Sequence, residues 1–256
     1  MTFWPEPYRA AVSLTFDDGM SSHLNAAVPL LEQHGLRGTF YVNPRGADES
    51  AGLGDSWMER LAPWRDVQTR GHEIGNHTLV HPCSLNIETD WNRPNNLLHW
   101  TLEQVQADIL AAQRRLDAAI PAQGENTFAY PCYESTVGRG RSRVSYTPFV
   151  AEHFVAARHK GELLGDHAND PLHCDRHHLS SWAVERQPGA LMVGLVEQAA
   201  ALGRWMVFTF HGIDEGHLQV GAGDFLQLMR YLAGRKDIWT APLVDVGRYV
   251  RDHSPE

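Results

Sequence analysis

Residues 10–19 read Ala10-Ala11-Val12-Ser13-Leu14-Thr15-Phe16-Asp17-Asp18-Gly19. A short apolar, β-prone run that breaks into two carboxylates and a glycine predicts a buried strand opening into a loop. Strand C-termini are where α/β sheets and barrels assemble reactive groups. Two adjacent carboxylates repel each other, so each must be solvated, paired or metal-bound. Asp-Asp-Gly is also ordinary turn chemistry. Taken alone, the stretch fits a polar turn as well as it fits a site.

Working outward, Ser21 or Ser22 is positioned to cap a helix carrying Leu24, Ala27, Val28, Leu30 and Leu31, which Gly35 stops. Further strands are expected at Gly38–Val42, His72–Gly75, Thr127–Pro131, Phe154–Ala157 and Trp205–Phe210. Helices are expected at Trp57–Thr69, Leu102–Ile120, Leu191–Leu202, Phe225–Leu232 and Leu243–Val250. The Leu102–Ile120 segment is the most regular, with Val105, Ile109, Ala112 and Leu116 on one face. This alternation predicts an α/β fold with a mostly parallel sheet or barrel. With no repeat and no clear linker, one domain over residues 1–256 is the simplest organisation. Segments 43–56, 82–100 and 133–148 read as long loops, and such loops are often functional.

A second constellation is His77-Thr78-Leu79-Val80-His81, after His72-Glu73-Ile74-Gly75-Asn76. Two histidines four residues apart share a face if the segment is helical, and both imidazoles then reach one cation. The plainer alternative is two unrelated surface histidines. An aspartate plus two imidazoles leaves coordination positions open for water and substrate, as catalytic sites require. The second carboxylate is then free to act as a base.

Composition narrows the choices. The 256 residues carry a formal charge of -9, 43% hydrophobic and 21% charged residues. That is ordinary for a globular protein and argues against nucleic acid or an anionic membrane as partner. No stretch approaches a membrane span. Met1–Ala10 has no apolar signal-peptide core, so a cytoplasmic location is expected. Three cysteines, Cys83, Cys132 and Cys174, are odd in number, widely spaced and without a Cys-x-x-Cys pair. They are expected to be reduced.

In order and spacing over residues 10 to about 212, these motifs resemble the polysaccharide deacetylases, the NodB homology domain of family-4 carbohydrate esterases. Thr15–Gly19 looks like the family's first motif and His77–His81 like its second. Phe128-Ala129-Tyr130-Pro131-Cys132-Tyr133 occupies the place of the third, and Phe208-Thr209-Phe210-His211 resembles the last. The resemblance implies a distorted, NodB-like (β/α) barrel with fewer than eight repeats. It implies one divalent metal ion, usually zinc, with cobalt, nickel or manganese also suitable, held by Asp18, His77 and His81. Asp17 would be the general base and His211 the general acid. A backbone N–H in the third motif, that of Cys132, would help the metal hold the oxyanion, and Tyr130 and Pro131 would line the substrate site. The activity implied is removal of acetyl groups from an N- or O-acetylated carbohydrate by a metal-activated water.

The sequence departs from the family at the third motif. Ala129 stands where an arginine commonly steadies the base, and Cys132 where an aromatic residue stands. Arg158, after the strand Phe154–Ala157, is the candidate to supply the missing charge from a neighbouring strand. No clear motif of the Asp/Trp type that orients the acid histidine is found. The segment 159–178 holds five histidines with Asp166, Asp170, Cys174 and Asp175. A polar loop over the rim is a simpler reading of it than a second metal site. Trp57 and Trp64 fit a core; Trp91 and Trp100 fit a sugar groove better. Two other functions remain open: an amide or cyclic-amide hydrolase of the allantoinase-like branch, and a non-catalytic carbohydrate-binding protein. The five retained polar residues of the motifs speak against the second.

Overall fold

The computed structural model describes residues 2–45, 56–84, 94–161 and 168–255. The strands are β1 (Ala10–Phe16), β2 (Thr39–Val42), β3 (Glu73–Asn76), β4 (Phe128–Ala129), β5 (Thr136–Val137), β6 (Val144–Ser145), β7 (Ala157–Arg158), β8 (Ala168–Asn169), β9 (Trp182–Ala183), β10 (Trp205–Phe210) and β11 (Ile238–Thr240). The helices are α1 (Val28–Gln33), α2 (Trp57–Thr69), α3 (Leu102–Ala119), α4 (Thr147–His153), α5 (Gly189–Leu202), α6 (Ala222–Gly234) and α7 (Leu243–His253).

The main sheet runs β7-β4-β3-β2-β1-β10-β8, with β11 beside β1 and β9 beside β10. Every pairing in it is parallel except β10 with β8. The result is a distorted (β/α) barrel with fewer than eight repeats. β1 is central, and all seven of its residues are buried, as expected of a parallel strand covered on both faces. Its two buried hydroxyls are satisfied internally. Ser13 donates to the Ala241 carbonyl and accepts from the Trp205 indole, while Thr15 donates to the Phe208 carbonyl.

Register fixes what the strand ends present. β1 and β10 pair from Ala11–Trp205 to Phe16–Phe210, so Asp17 and His211 emerge side by side. The Asp17 N–H donates to the Phe210 carbonyl at 2.9 Å. Beneath them, Phe16 stacks on Phe40 and Phe210, and Phe225 closes edge-on.

Several boundaries differ from the sequence expectation. The first helix opens as a π-helical turn, His23–Ala27, and the Ser22 side chain does not cap it. Instead the Ser22 hydroxyl accepts from the Ile213 N–H, tying the loop after β1 to the loop after β10. The expected strands at 127–131 and 154–157 shrink to the two-residue β4 and β7. Segment 133–148 is not a plain loop: it contains the β5–β6 hairpin.

The pair of cysteines is a correction. Cys83 and Cys132 form a disulfide across 49 residues, with 5.8 Å between their Cα atoms, and only Cys174 is free. Spacing alone does not reveal this pairing, because the fold brings two distant loops together. The finding removes the reduced-thiol argument for a cytoplasmic location.

Candidate metal and acid–base site

Asp17 is buried at the end of β1, and its carboxylate receives the Arg158 guanidinium. Arg158 Nη2 lies 2.6 and 2.5 Å from the two carboxylate oxygens. Burial pushes the Asp17 pKa up. The charge and hydrogen bonds of Arg158 lead the interactions that outweigh it and hold the carboxyl below its ordinary value. Arg158 is itself fully buried and sits between the rings of Tyr41 and Tyr133, 5.4 Å from each centroid. Its position follows from register. Ala129 of β4 pairs with Arg158 of β7, so the guanidinium enters the barrel one strand away from the alanine.

Asp18 follows with φ +74°. Its Oδ1 lies 3.7 Å from His77 Nε2 and 3.5 Å from His81 Nε2. These gaps are longer than hydrogen bonds. His77 is buried, and its Nδ1 lies 2.9 Å from the Ala129 carbonyl. A carbonyl only accepts, so Nδ1 carries the proton and Nε2 presents a lone pair. Burial, partly offset by Asp17, pushes the pKa of His77 and of His81 down to about 4. Both imidazoles are therefore neutral at pH 7. Asp18, His77 and His81 thus offer three ligand atoms within 4.8 Å of one another. Electron-rich atoms set this close with no proton between His77 and Asp18 suit a divalent cation. The donor set, one carboxylate and two imidazoles, is borderline in softness and fits zinc or its neighbours.

The segment 77–81 is not helical, so the histidine pair does not share a helix face. Thr78 has φ +64° and His81 φ +52°, conformations rare for residues with a side chain beyond Cβ. A cage of side chains holds them. Asn43 Nδ2 donates to the His77 and Thr78 carbonyls, and Asn76 Oδ1 accepts from the Thr78 N–H. Thr78 Oγ1 accepts from the His81 N–H, and Asp108 Oδ2 accepts from the Leu79 N–H at 2.8 Å. Sequence reasoning missed Asp108, although a signal was present. It lies three residues after Val105 and four before Ala112, so it interrupts the apolar stripe of α3. Burial raises its pKa to about 6.

His211 closes the site beside Asp17. Its Nδ1 is buried and has no hydrogen-bond partner among the described residues, as is also true of Arg158 Nε and Nη1. Its carbonyl lies 2.9 Å from His23 Nε2. Gly212 lets the chain double back at once. A Cβ there would collide with the Glu215 carbonyl, and Glu215 in turn accepts the Ser22 N–H at 2.7 Å.

In the third motif, Cys132 and Tyr133 both adopt left-handed backbone, φ +50° and +59°. The turn is closed by the N–H groups of Tyr133 and Glu134, which donate to the Tyr130 and Pro131 carbonyls. Tyr130 is a correction. Side chains alternate along a strand, so Phe128 and Tyr130 share the face opposite Ala129 and pack into a satellite core. The Tyr130 hydroxyl donates to the His177 carbonyl, and the residue is only 1% exposed. Pro131 is likewise buried.

In the described part of segment 159–178, no three ligand atoms converge. His159 stacks on His178 at 3.9 Å, His173 pairs with Asp170, and His177 Nε2 meets the Phe154 carbonyl. His167 and Asp166 lie outside the described residues. Trp64 is buried and Trp57 packs against the core. The half-buried Trp100 donates its indole N–H to the Pro94 carbonyl. Trp91 lies outside the described residues. Among the described residues, no helix is long and apolar enough to cross a membrane.

An incomplete barrel with an aspartate pair, two convergent histidines and a further histidine at its strand ends defines a class of hydrolase-like fold. The polysaccharide deacetylase family model matches residues 6–139, just over half of the chain, and the chain belongs to that family. A chitin deacetylase from Colletotrichum lindemuthianum is 30% identical over 111 residues, which are 43% of this chain and 38% of that protein. The chain thus matches well under two thirds of this curated relative's length. The crystal structure of a putative polysaccharide deacetylase from Mycobacterium smegmatis superposes with a TM-score of 0.65 at 16% identity, covering 97% of this chain and 92% of that one. The crystal structure of an allantoinase does so at 0.64 and 12% identity, covering 100% and 95%. At such identities the structural likeness speaks for the fold alone.

Proposed function

We propose that the protein is a metal-dependent hydrolase that removes acetyl groups from an acetylated carbohydrate. The observation that carries this reading is the division of labour between adjacent aspartates. Asp17 is clamped by Arg158 in a charged, buried state, while Asp18 faces two neutral imidazoles. Asp18, His77 and His81 would hold one divalent cation, zinc first among the candidates. Such a cation, when bound, lowers the pKa of water and polarises a carbonyl oxygen.

The chain's own groups supply the proton transfers. The Asp17 carboxylate accepts a proton from the attacking water, and Arg158 keeps it ionised and oriented for that step. The Cys132 N–H, not used in closing its turn, is available to the oxyanion that forms on the acetyl carbonyl. His211, beside Asp17 at the end of β10, gives a proton to the departing amine or alcohol. Aligned acid and base groups of this kind each contribute roughly 10²- to 10⁴-fold to rate.

Turnover of 4-nitrophenyl acetate and of an N-acetylated chitooligosaccharide tests the reading, with Asp17→Asn and His211→Ala as controls. The reading expects turnover in wild type and a loss of at least about 100-fold in each variant. Hydrolysis of a cyclic amide but of neither acetyl substrate would move the protein to the allantoinase-like branch. Tight oligosaccharide binding without any turnover would make it a binding protein.

A further inference from the structure

The Cys83–Cys132 disulfide lies inside the site rather than in the surrounding scaffold. Cys83 follows His81 by two residues, and its Sγ is 3.6 Å from His81 Nδ1. Cys132 carries the N–H proposed for the oxyanion, in a turn with two consecutive left-handed residues. Such conformations are unfavourable and persist only where the surroundings over-determine them. The next residue, Tyr133, packs its ring on Arg158, which clamps Asp17. Beside the disulfide, the two strands of chain are docked again. Ser84 donates its N–H to Glu134 at 2.8 Å, and its hydroxyl also bonds that carboxylate. One covalent bond therefore links a metal-ligand loop, the oxyanion turn and the ring that supports the base's partner.

A general staple is not required here, because a chain of 256 residues buries enough apolar surface to be stable without one. The disulfide is also unevenly covered: Cys83 is buried, while Cys132 is only half-buried.

We propose that the Cys83–Cys132 disulfide is a positioning element of the metal site, and that its reduction weakens cation binding and turnover reversibly. The inference rests on the metal-hydrolase reading. Reduction by a phosphine breaks the S–S bond. The phosphine supplies two electrons and becomes its oxide by taking oxygen from water, whose two protons leave the cysteines as thiols. In the reduced protein, His81 loses the tether two residues away, and the Cys132 turn is free to leave its left-handed conformation.

The test uses the full chain purified without reductant. Thiol titration after denaturation should find one thiol, Cys174, before phosphine treatment and three afterwards. Cobalt(II) affinity, read by visible absorption, should fall about 10- to 100-fold in the Cys83→Ser/Cys132→Ser double variant, the range typical of groups that orient metal ligands. The kcat of reduced wild type should fall more than its KM rises, recover on reoxidation, and leave Cys174→Ser behaving as wild type. Circular dichroism establishes that the double variant is folded; if it is not, cobalt affinity of the phosphine-reduced wild type with its thiols alkylated carries the comparison, because free Cys83 and Cys132 thiols beside His81 could bind cobalt themselves. Three thiols before reduction, or wild-type cobalt affinity in the folded double variant, would overturn the proposal. Failure of the oxidised wild type to bind cobalt is a different result, because it removes the metal-hydrolase reading itself.

Discussion

Two buried carboxylates sit at opposite ends of the same sheet, and the protein treats them differently. Glu73, at the start of β3, receives four hydrogen bonds. Its Oε1 accepts from the Thr127 N–H and hydroxyl, and its Oε2 from the Thr39 hydroxyl and the Val244 N–H. Burial still raises its pKa despite these donors. Asp17, past the end of β1, is instead held below its ordinary value by a full charge, against the same burial. Around Glu73 the donors are spent on closing the base of the barrel and fixing the start of α7. Around Asp17, Arg158 and His211 keep buried polar atoms without partners among the described residues. Buried polar groups are nearly always satisfied, so the open Nδ1 of His211 beside Asp17 suits a ligand.

That contrast breaks most sharply at Arg158. Replacing it with alanine leaves Asp17 buried and unpaired, which should cost about 3–5 kcal/mol of stability. Turnover per folded molecule should fall at least about 100-fold. Urea unfolding and assay of the folded fraction measure the two effects, and unchanged turnover would remove Arg158 from the mechanism. Glu73→Ala should lose a comparable but smaller amount, about 3 kcal/mol, because it strands neutral donors rather than a charge. Its folded fraction should keep wild-type cobalt affinity; loss of affinity out of proportion to stability would erase the distinction between the two ends.

Acid sharpens the comparison through His23, which is fully buried behind the site. Burial lowers its pKa to about 4, against an ordinary 6.5. Between those values the unfolded chain binds the extra proton, so stability rises with pH across the window. The share carried by His23 is complete above about 6.5 and is lost by about pH 4, an amount of about 3 kcal/mol. His23→Gln should flatten that part of the pH–stability curve in chemical denaturation, and an unaltered slope would contradict the assignment. The smallest effect is expected at Thr101, whose side chain and that of Gln104 form a reciprocal cap on α3. Thr101→Ala should cost about 1 kcal/mol in thermal or urea unfolding. With turnover unchanged, it sets the baseline for a change remote from both carboxylates.

The long, regular elements were legible in the sequence because one signal dominates each. β1 and β10 are mostly apolar, β-prone runs that stop at Asp17 and His211, and α3 repeats its apolar residues at helical spacing. The approach of Arg158 to Asp17 was also readable, since a missing charge asks for a substitute nearby. What stayed hidden depends on long-range pairing. The strands β8, β9 and β11 have two or three residues each and exist only because a neighbour offers a ladder. The disulfide joins loops 49 residues apart. The histidine pair meets through left-handed turns enforced by Asn43, Asn76 and Asp108, not through helical periodicity. Tyr130 was misplaced because a motif fixes order along the chain, while strand alternation decides which face each side chain takes.

The proposed function stands or falls on whether Asp18, His77 and His81 hold one cation. Metal content by mass spectrometry, on wild type and His77→Ala purified without a polyhistidine tag, tests it most directly. About one divalent metal per wild-type chain, lost in the variant, is the expected result for a three-ligand catalytic site. A wild type that takes up no metal even after incubation with zinc or cobalt would contradict the account.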